Sequence, residues 1–495
     1  MPSQQRNGKT RSIHIFISAH KLETALSVVL LVFLCTWDYG QSMWLDEGTS
    51  VSIARKSISD IPGYVAENDV HPPGYYMALS IWMRLSSSVE WCRMFSVTMY
   101  LLSAVAVVFI QRQIRGNERS AVLYGFLLLS ASLSYAISHE IRMYSMLMFG
   151  CAWALYFQLR YERRENWIAG LLASVFALMS LFTHYYAFIF VGGFIIVLAF
   201  RKMHSKVELI RMVAPLLVAS AIFALVWGRQ ANAQFSQNSA GLRESLSLLA
   251  LPVLALRIFA YPLGKNLVAV GAAIGYAVLL LSMTKKVDLL AFFKSLSSQV
   301  FLVQVALLFA AGLLIHNVFN DRLAVVLIPS LVVALGIRRV RLENRPQTIR
   351  LRWEAEELRK CAVVILVAVS LVSITQSYSQ GPREDWKSTV LFIEKHEEAA
   401  DVILFPFESP YAVFEYYYQG NSSAFGLLHS SRDLNESSAI LLVDLYCSGH
   451  TRAWYILYLS SFYDPNEFIL SALQMHFNQS VTFAFKNVEV TLFSS

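Results

Sequence analysis

The chain has 495 residues, of which 56% are hydrophobic and only 15% are charged. A water-soluble fold could not bury this much apolar sequence, so the composition excludes an ordinary soluble protein. The net charge is +7, and the five cysteines include no pair at metal-binding spacing. The cysteines therefore indicate neither a disulfide framework nor a zinc site.

Eleven apolar stretches are each about as long as a helix that crosses a hydrocarbon core of about 30 Å. They are Leu22–Trp37, Arg93–Ile110, Ala121–Ile137, Met143–Leu159, Trp167–Phe182, Tyr185–Phe200, Met212–Trp227, Leu267–Met283, Val300–Ile315, Leu323–Ile337 and Cys361–Ile374. They predict an α-helical polytopic membrane protein with about 11 transmembrane helices.

Lysine and arginine are concentrated in every second connection between these stretches. They precede the first stretch and recur at Arg112, Arg115 and Arg119, at Arg160, Arg163 and Arg164, at Arg201, Lys202 and Lys206, at Lys285 and Lys286, and from Arg338 to Lys360. Basic connections stay on the cytoplasmic side. The pattern predicts a cytoplasmic N-terminus and an extracytoplasmic tail in a plasma membrane, the inner membrane if the host is bacterial. The positive charge then reflects topology and requires no nucleic acid.

The connections predict two domains. Residues 1–375 form the transmembrane domain, with a long first outer loop at 38–91 and a second at 228–266, and residues 376–495 form a small extracytoplasmic α/β domain. In the tail, 401–405, 439–444 and 488–493 read as strands, and Trp386–Glu398 reads as a helix. The first loop predicts a short helix over Ser50–Ile61 and a second one opened by Pro72 and Pro73.

The adjacent carboxylates Asp46 and Glu47 follow the first stretch on the outer side. A carboxylate placed there can act as a general base on a substrate that enters from the outer leaflet. The alternative is a solvated loop in which Asp46 caps the following helix.

Other ionisable residues lie at outer ends of the predicted helices. His71 precedes two prolines and is therefore held extended, where it could bind phosphate, assist a metal or bond the loop. His139 and Arg142 are three residues apart, which would place them on one helix face. His184 and Arg322 begin later spans. Each could be an interfacial residue, but an ionisable group at membrane depth favours function.

The segments W-L-D-E at 44–47, D-V-H-P-P-G-Y-Y at 69–76, H-E-I-R-M-Y at 139–144, T-H-Y-Y-A at 183–187 and D-R-L-A-V-V-L-I-P at 321–329 occur in this order. In this combination the chain resembles the glycosyltransferase family 39-like group of the GT-C superfamily. That group includes bacterial membrane mannosyl-, galacturonosyl- and aminoarabinosyl-transferases related to protein O-mannosyltransferases.

The resemblance implies a glycosyltransferase that moves a hexose or pentose from a polyprenyl-phosphate donor to a lipid, glycan or protein acceptor at the outer membrane face, with inversion. It implies that Asp46 and Glu47 are catalytic, Asp46 as the base, and that His71, Arg142 and Arg322 bind the donor phosphate, with Leu323 replacing a tyrosine common in the family. Further substrate contacts are expected from Asp69, Tyr75, Tyr76, His139, Tyr144, His184 and Tyr185.

No D-x-D occurs in the first outer loop, so no metal-binding residues are predicted, although a divalent metal is left open as a cofactor. A transporter or flippase would also place charges in a membrane cavity, and a non-catalytic component of polysaccharide assembly is a third alternative. Transporters usually have related halves and helices broken at mid-membrane. The polar groups at one rim, the odd number of spans and the polar tail favour an enzyme.

Overall fold

The structure is a computed structural model that describes residues 40–115, 118–129, 131–238, 294–314, 321–335, 383–406, 411–427, 434–458 and 464–495. These residues divide into two compact units, one within Ser57–Gln376 and one formed by Tyr39–Lys56 together with Ser377–Ser495. The predicted spans Leu22–Trp37, Leu267–Met283 and Cys361–Ile374 lie outside the described residues.

The first unit is helical in its described parts. Its helices are α2 (Ile61–Asn68), α3 (Gly74–Met83), α4 (Val89–Arg115), α5 (Glu118–Leu129), α6 (Ser132–Ser138), α7 (Tyr144–Arg164), α8 (Trp167–Thr183), α9 (Ala187–Lys202), α10 (Lys206–Asn238), α11 (Leu296–Leu314), a 3₁₀ helix (Asp321–Val326) and α12 (Ile328–Leu335). Helix α7 packs against α4 and α8, α8 against α10, and α9 against α11.

The helix ends follow local sequence signals. Helix α7 ends at Glu165, which adopts a left-handed conformation, and the side chain of Asn166 then caps α8 by accepting from the amide of Ile168 at 2.9 Å. Helices α7 and α8 approach closely at Gly150, where a Cβ atom would lie 2.2 Å from Ser180 Oγ. A larger residue at 150 would have to displace the Ser180 side chain.

Two described helices, Val89–Ile114 and Lys206–Ser236, are long and apolar enough to cross a membrane, and Trp167–Thr183 and Leu296–Ala311 are shorter apolar helices. Predicted spans 93–110, 143–159, 167–182, 185–200, 212–227 and 300–315 correspond closely to observed helices. The prediction of one continuous helix over 121–137 is wrong, because α5 ends at Leu129 and a second helix, α6, starts at Ser132.

The second unit contains a five-stranded sheet in the order β2-β1-β3-β5-β4. Its elements are α1 (Leu45–Ala54), α13 (Trp386–His396), β1 (Val402–Phe405), α14 (Ala412–Tyr417), β2 (Ser423–Gly426), α15 (Glu436–Cys447), β3 (Arg452–Ile456), α16 (Phe468–His476), β4 (Gln479–Phe485) and β5 (Val488–Ser494). Strand β1 is parallel to β2 and β3, whereas β5 is antiparallel to β3 and β4. The predicted α/β character of the tail is confirmed.

The predicted strand at 439–444 is wrong, because these residues belong to helix α15. The side chain of Asn435 accepts from the amide of Ser438 at 2.9 Å and caps the helix. Ala439, Val443 and Cys447 recur every four residues and are buried in the core of this unit. A short apolar run is ambiguous between strand and helix, and here the cap and the four-residue period decide.

The first outer loop forms three short helices instead of the predicted two. The helix expected over Ser50–Ile61 is replaced by α1, which ends at Ala54, and by α2, which starts at Ile61. The second expected helix is confirmed as α3, which begins at Gly74 directly after Pro73. The loop was predicted to belong as a whole to the transmembrane part, but its residues up to Lys56 group with the C-terminal unit.

Candidate functional site

The turn from α2 to α3 carries Asp69 and His71, both largely buried, with side-chain exposures of 11% and 15%. Asp69 Oδ1 accepts from the amide of Val70 at 2.6 Å and lies 3.0 Å from His71 Nδ1. Burial raises the pKa of the Asp69 carboxyl, but the hydrogen bond and charge of His71 outweigh it, so this pKa lies below its usual value. Asp69 is therefore ionised and orients the His71 ring.

The same turn is held tightly against the end of α8. A Cβ atom at Gly74 would lie 2.6 Å from the carbonyl oxygen of Phe182, so only glycine fits there. This close approach brings His71 to His184, which follows α8, with ring centroids 5.1 Å apart. Two motifs separated by more than a hundred residues in sequence thus form one histidine pair.

Arg142 is buried beside this pair. Burial, followed by the charges of His71 and Arg142, holds the pKa of His184 well below its usual value, so His184 is neutral near pH 7. Burial and the Asp69 carboxylate raise the pKa of Tyr76 well above its usual value, against the opposing charge of Arg142. The Tyr76 hydroxyl therefore keeps its proton and can serve as a hydrogen-bond donor.

The 3₁₀ helix adds Arg322 to the cluster. Its Nη2 atom lies 3.3 Å from Glu140 Oε1, and its guanidinium carbon lies 5.7 Å from the ring centroid of Tyr144. The Tyr144 ring in turn lies 6.2 Å from the ring of His184. The structure therefore brings together Asp69, His71, Tyr76, Arg142, Tyr144, His184 and Arg322, all of which sequence analysis singled out.

Two residues of this region were missed by sequence analysis. Glu140 lay inside a motif but was not selected, because nothing local indicates that it pairs with Arg322. Gln234 on α10 was not considered at all, although its Nε2 donates to the carbonyl oxygens of Val65 at 2.9 Å and Asp69 at 2.8 Å. A polar residue near the C-terminal end of a long apolar helix was the available signal.

Other predicted residues make local contacts. The hydroxyl of Tyr185 donates to Gln234 Oε1 and accepts from the indole of Trp227 at 3.0 Å, so it joins the link between α8 and α9 to α10. His139 Nδ1 lies 3.1 Å from the carbonyl oxygen of Tyr135, and the Tyr75 ring packs on Tyr76 and Phe95. The prediction that His139 and Arg142 share a helix face is wrong, because both residues lie in the non-helical link between α6 and α7.

Asp46 and Glu47 belong to the C-terminal unit, in the first turn of α1. Glu47 is 1% exposed, and its carboxylate reaches back to the amide of Trp44 at 3.4 Å, which makes it a helix-capping group. Asp46 is partly exposed on the same turn. The two neighbouring carboxylates are thus in different environments, and Asp46 is the one that solvent or a substrate can reach.

Within the part of the chain that the structure describes, no group of three or more histidine, cysteine, aspartate or glutamate side chains is arranged to hold a metal ion.

Residues 70–231 match the family model of dolichyl-phosphate-mannose-protein mannosyltransferase. The match begins at the Asp69–His71 turn, includes Arg142 and His184, and ends three residues before Gln234. No curated protein matches the sequence.

The fold resembles those of solved ArnT and oligosaccharyltransferase structures. ArnT from Cupriavidus metallidurans in the apo state matches with a TM-score of 0.62 and 13% identity over 95% of this chain and 97% of ArnT. The same protein bound to undecaprenyl phosphate matches with a TM-score of 0.63 and 13% identity over 96% of this chain and 98% of ArnT. A third match is the archaeal oligosaccharyltransferase AglB from Archaeoglobus fulgidus, in complex with an inhibitory peptide and a dolichol-phosphate. Its TM-score is 0.52, with 11% identity over 94% of this chain and 74% of AglB.

The fold is therefore similar to the folds of ArnT and AglB. The family match over residues 70–231 and the fold confirm the predicted resemblance to GT-C membrane glycosyltransferases and indicate a glycosyltransferase. They favour an enzyme over the transporter, flippase and non-catalytic alternatives.

Proposed function

We propose that the protein transfers a sugar from a polyprenyl-phosphate donor to a lipid, glycan or protein acceptor at the outer membrane face, with inversion and with Asp46 as the base. The observation that carries the proposal is the buried grouping of Arg142, Arg322 and His71 on separate elements of the first unit. Arginine is always charged and presents a planar fork of donors that matches phosphate oxygens. ArnT, which shares this fold, has been solved with undecaprenyl phosphate bound.

The proposed reaction is a single displacement. An acceptor hydroxyl attacks the anomeric carbon, a new carbon–oxygen bond forms, and the bond from that carbon to the donor phosphate oxygen breaks on the opposite face. The hydroxyl proton passes to Asp46, and the polyprenyl phosphate departs with the bonding electrons. Arg142 and Arg322 stabilise the charge that develops on the phosphate, and one such donor is typically worth about 10²–10³ in rate.

The contrast between Asp46 and Glu47 supports the choice of base. Asp46 is partly exposed, whereas Glu47 is buried and caps α1. Asp46→Asn keeps the size of the side chain but removes the proton acceptor, so transfer should fall by about 10²–10⁴-fold while donor binding survives. Glu47→Gln should lower stability and change turnover less.

The experiment uses the full chain in nanodiscs with polyprenyl phosphates carrying a labelled hexose or pentose, and membrane extract as the source of acceptors. Single-turnover transfer and donor affinity are measured for the wild type and both variants. If the wild type transfers none of the labelled sugars, the proposed function is wrong. Wild-type transfer by Asp46→Asn together with an inactive Glu47→Gln would exchange the two roles, and activity of both variants would remove the carboxylate base.

The proposal includes a topology, because the basic connections predict a cytoplasmic N-terminus and an extracytoplasmic tail. A reporter fused after Ser495 should report the outer side, and a reporter fused near Arg345 should report the cytoplasm. A cytoplasmic signal from the Ser495 fusion would contradict transfer at the outer face.

A further inference from the structure

Glu384 is a buried carboxylate in the C-terminal unit, 8% exposed, with three hydrogen-bond donors around it. Its Oε2 accepts from the amide of Leu45 at 2.9 Å and from the indole of Trp386 at 2.8 Å, and its Oε1 accepts from the hydroxyl of Tyr458 at 2.8 Å. These bonds offset the cost of burying the carboxylate. The Trp386 and Tyr458 bonds also fix its orientation.

The Leu45 contact is the one that bears on chemistry, because Leu45 is the first residue of α1 and Asp46 is the second. The first amides of a helix have no partner within the helix, and a negative charge placed there is favoured by the helix dipole. Glu384 therefore stabilises the N-terminal end of α1. A shift of that amide would move the Asp46 carboxylate with it.

Neighbouring contacts hold the same segment to the same unit. The amide of Met43 donates to the Tyr417 hydroxyl at 2.9 Å, and Ser42 Oγ accepts from the amide of Lys387 at 3.1 Å. A Cβ atom at Gly48 would lie 2.5 Å from Val413 Cβ, so helices α1 and α14 touch through their backbones. The segment before α1 thus has little freedom, and Glu384 supplies the charged contact at its end.

An electrostatic link connects Glu384 with Asp46 through Tyr458. Burial, then the Glu384 carboxylate and, more weakly, Asp46 raise the pKa of the Tyr458 hydroxyl. The Tyr458 proton therefore stays on its oxygen and remains available to donate to Glu384. Both carboxylates lie within electrostatic reach of this one phenol.

We infer that Glu384 is a positioning residue for the reaction, which holds Asp46 in place by binding the Leu45 amide at the start of α1. The inference rests on the proposed role of Asp46 as the base. It gives the C-terminal domain a part in catalysis, because Glu384, Trp386 and Tyr458 all come from the tail.

Glu384→Gln tests the inference. It preserves the shape of the side chain but replaces one carboxylate oxygen, and the negative charge, by an NH2 group, although the Leu45 amide, the Trp386 indole and the Tyr458 hydroxyl all donate to this side chain. Displacement of a catalytic group by about 1 Å can cost about 10²-fold in rate. We expect kcat to fall by about 10- to 100-fold with little change in donor KM. Amide hydrogen exchange over residues 43–48 should become faster.

Glu397→Gln is the matched control. Glu397 is also a carboxylate of the C-terminal unit with several donors, but these lie within 418–422, at the Tyr418 and Ser422 hydroxyls and the amides of Asn421 and Ser422. Its loss should cost stability without lowering kcat or changing exchange at 43–48. Equal kcat losses in the two variants, or wild-type kcat in Glu384→Gln, would overturn the inference.

Asp46→Asn is measured in parallel so that the two proposals fail separately. Wild-type transfer by Asp46→Asn would refute the proposed base, whatever Glu384→Gln does. An inactive Asp46→Asn beside a fully active Glu384→Gln would refute only the positioning role. If Glu384→Gln does not fold, Glu384→Asp keeps the charge but withdraws it from the Leu45 amide, and wild-type kcat in that variant would likewise overturn the inference.

Discussion

The guanidinium of Arg322 lies 3.3 Å from the carboxylate of Glu140, and both side chains are largely buried, with exposures of 16% and 8%. This pair joins the 3₁₀ helix to the link between α6 and α7, so it holds two of the sequence motifs together. Removal of one partner of a buried ion pair lowers the free energy of unfolding strongly, because the other charge stays buried without its partner.

Removal of either partner of this pair should therefore destabilise the protein more than removal of both. We expect Glu140→Leu or Arg322→Met alone to cost about 3–5 kcal/mol, and the double variant Glu140→Leu/Arg322→Met to cost less than either single variant. Thermal unfolding in detergent measures the difference. Additive losses would show that the pair is not energetically coupled.

Arg142→Lys should fold but lose much of its activity. The substitution keeps the positive charge of a buried residue and removes the planar fork that can bind two phosphate oxygens. We expect stabilisation by undecaprenyl phosphate to weaken and transfer to fall by about 10²–10³-fold. Undecaprenol, which lacks the phosphate, should stabilise the wild type less than undecaprenyl phosphate does.

Arg160→Lys is the control for this prediction. Arg160 lies near the other end of α7, where its Nη1 atom donates to the Tyr156 hydroxyl at 3.0 Å. Its replacement should leave the effect of undecaprenyl phosphate unchanged. If Arg142→Lys and the wild type transfer sugar equally at equal protein level, Arg142 is a residue of the membrane–water interface and not of the donor site.

Gln234→Leu should loosen the turn that carries Asp69 and His71. Gln234 is 1% exposed, and its amide group binds the carbonyl oxygens of Val65 and Asp69. Each buried carbonyl left without a donor costs about 1–3 kcal/mol. We expect a lower unfolding temperature and a raised donor KM, measured by unfolding and by steady-state transfer.

Gln158→Leu separates these two effects, because Gln158 is also buried and donates to a backbone carbonyl, that of Met212 at 2.8 Å. It should lower the unfolding temperature without raising the donor KM. A raised KM in both variants would indicate a general loss of packing instead of a specific effect on the turn.

His184 should make stability depend on pH. Its folded pKa is held well below its usual value by burial and by the charges of His71 and Arg142, which outweigh the opposing charge of Asp69. Below a pH of about 6.5, the unfolded chain takes up a proton that the folded protein excludes. Stability attributable to this group is therefore lost as the pH falls from that value towards the folded pKa.

His184→Gln should reduce the fall in unfolding temperature between about pH 7.5 and about pH 5.5, a range that brackets the ordinary histidine pKa. The exposed His204 supplies the control, and His204→Gln should retain the pH profile of the wild type. An unchanged profile in His184→Gln would show that another group controls stability in this range.

Much of the fold was readable from the sequence, because its signals are local. The span predicted over 167–182 is helix α8 over Trp167–Thr183, since membrane-crossing length and apolar composition are properties of one segment. Pro73 likewise marks the start of α3 at Gly74, because proline fits before or within a first turn. The strand pattern at 401–405 and 488–493 corresponds to β1 and β5.

The sequence also selected the residues of the candidate site by type and position. Ionisable side chains at the ends of apolar spans are energetically costly, so their presence indicates a function. This criterion selected His71, Arg142, His184 and Arg322. Their grouping on separate elements depends on how the helices pack. The close approach of Gly74 to Phe182, where a Cβ atom would lie 2.6 Å from the Phe182 carbonyl oxygen, has no signature in either segment alone.

Partners far apart in the chain were decided by tertiary structure alone. The pairs Arg322–Glu140, Gln234–Asp69 and Glu384–Leu45 each join segments whose local sequences carry no mark of the other. Tertiary structure also distinguished Asp46 from Glu47. These neighbouring carboxylates look equivalent in the sequence, but in the fold Asp46 is partly exposed and Glu47 is buried. The physical reason is that residue type and spacing determine what a segment can form, whereas burial and the distance between charges depend on which segments fold against each other.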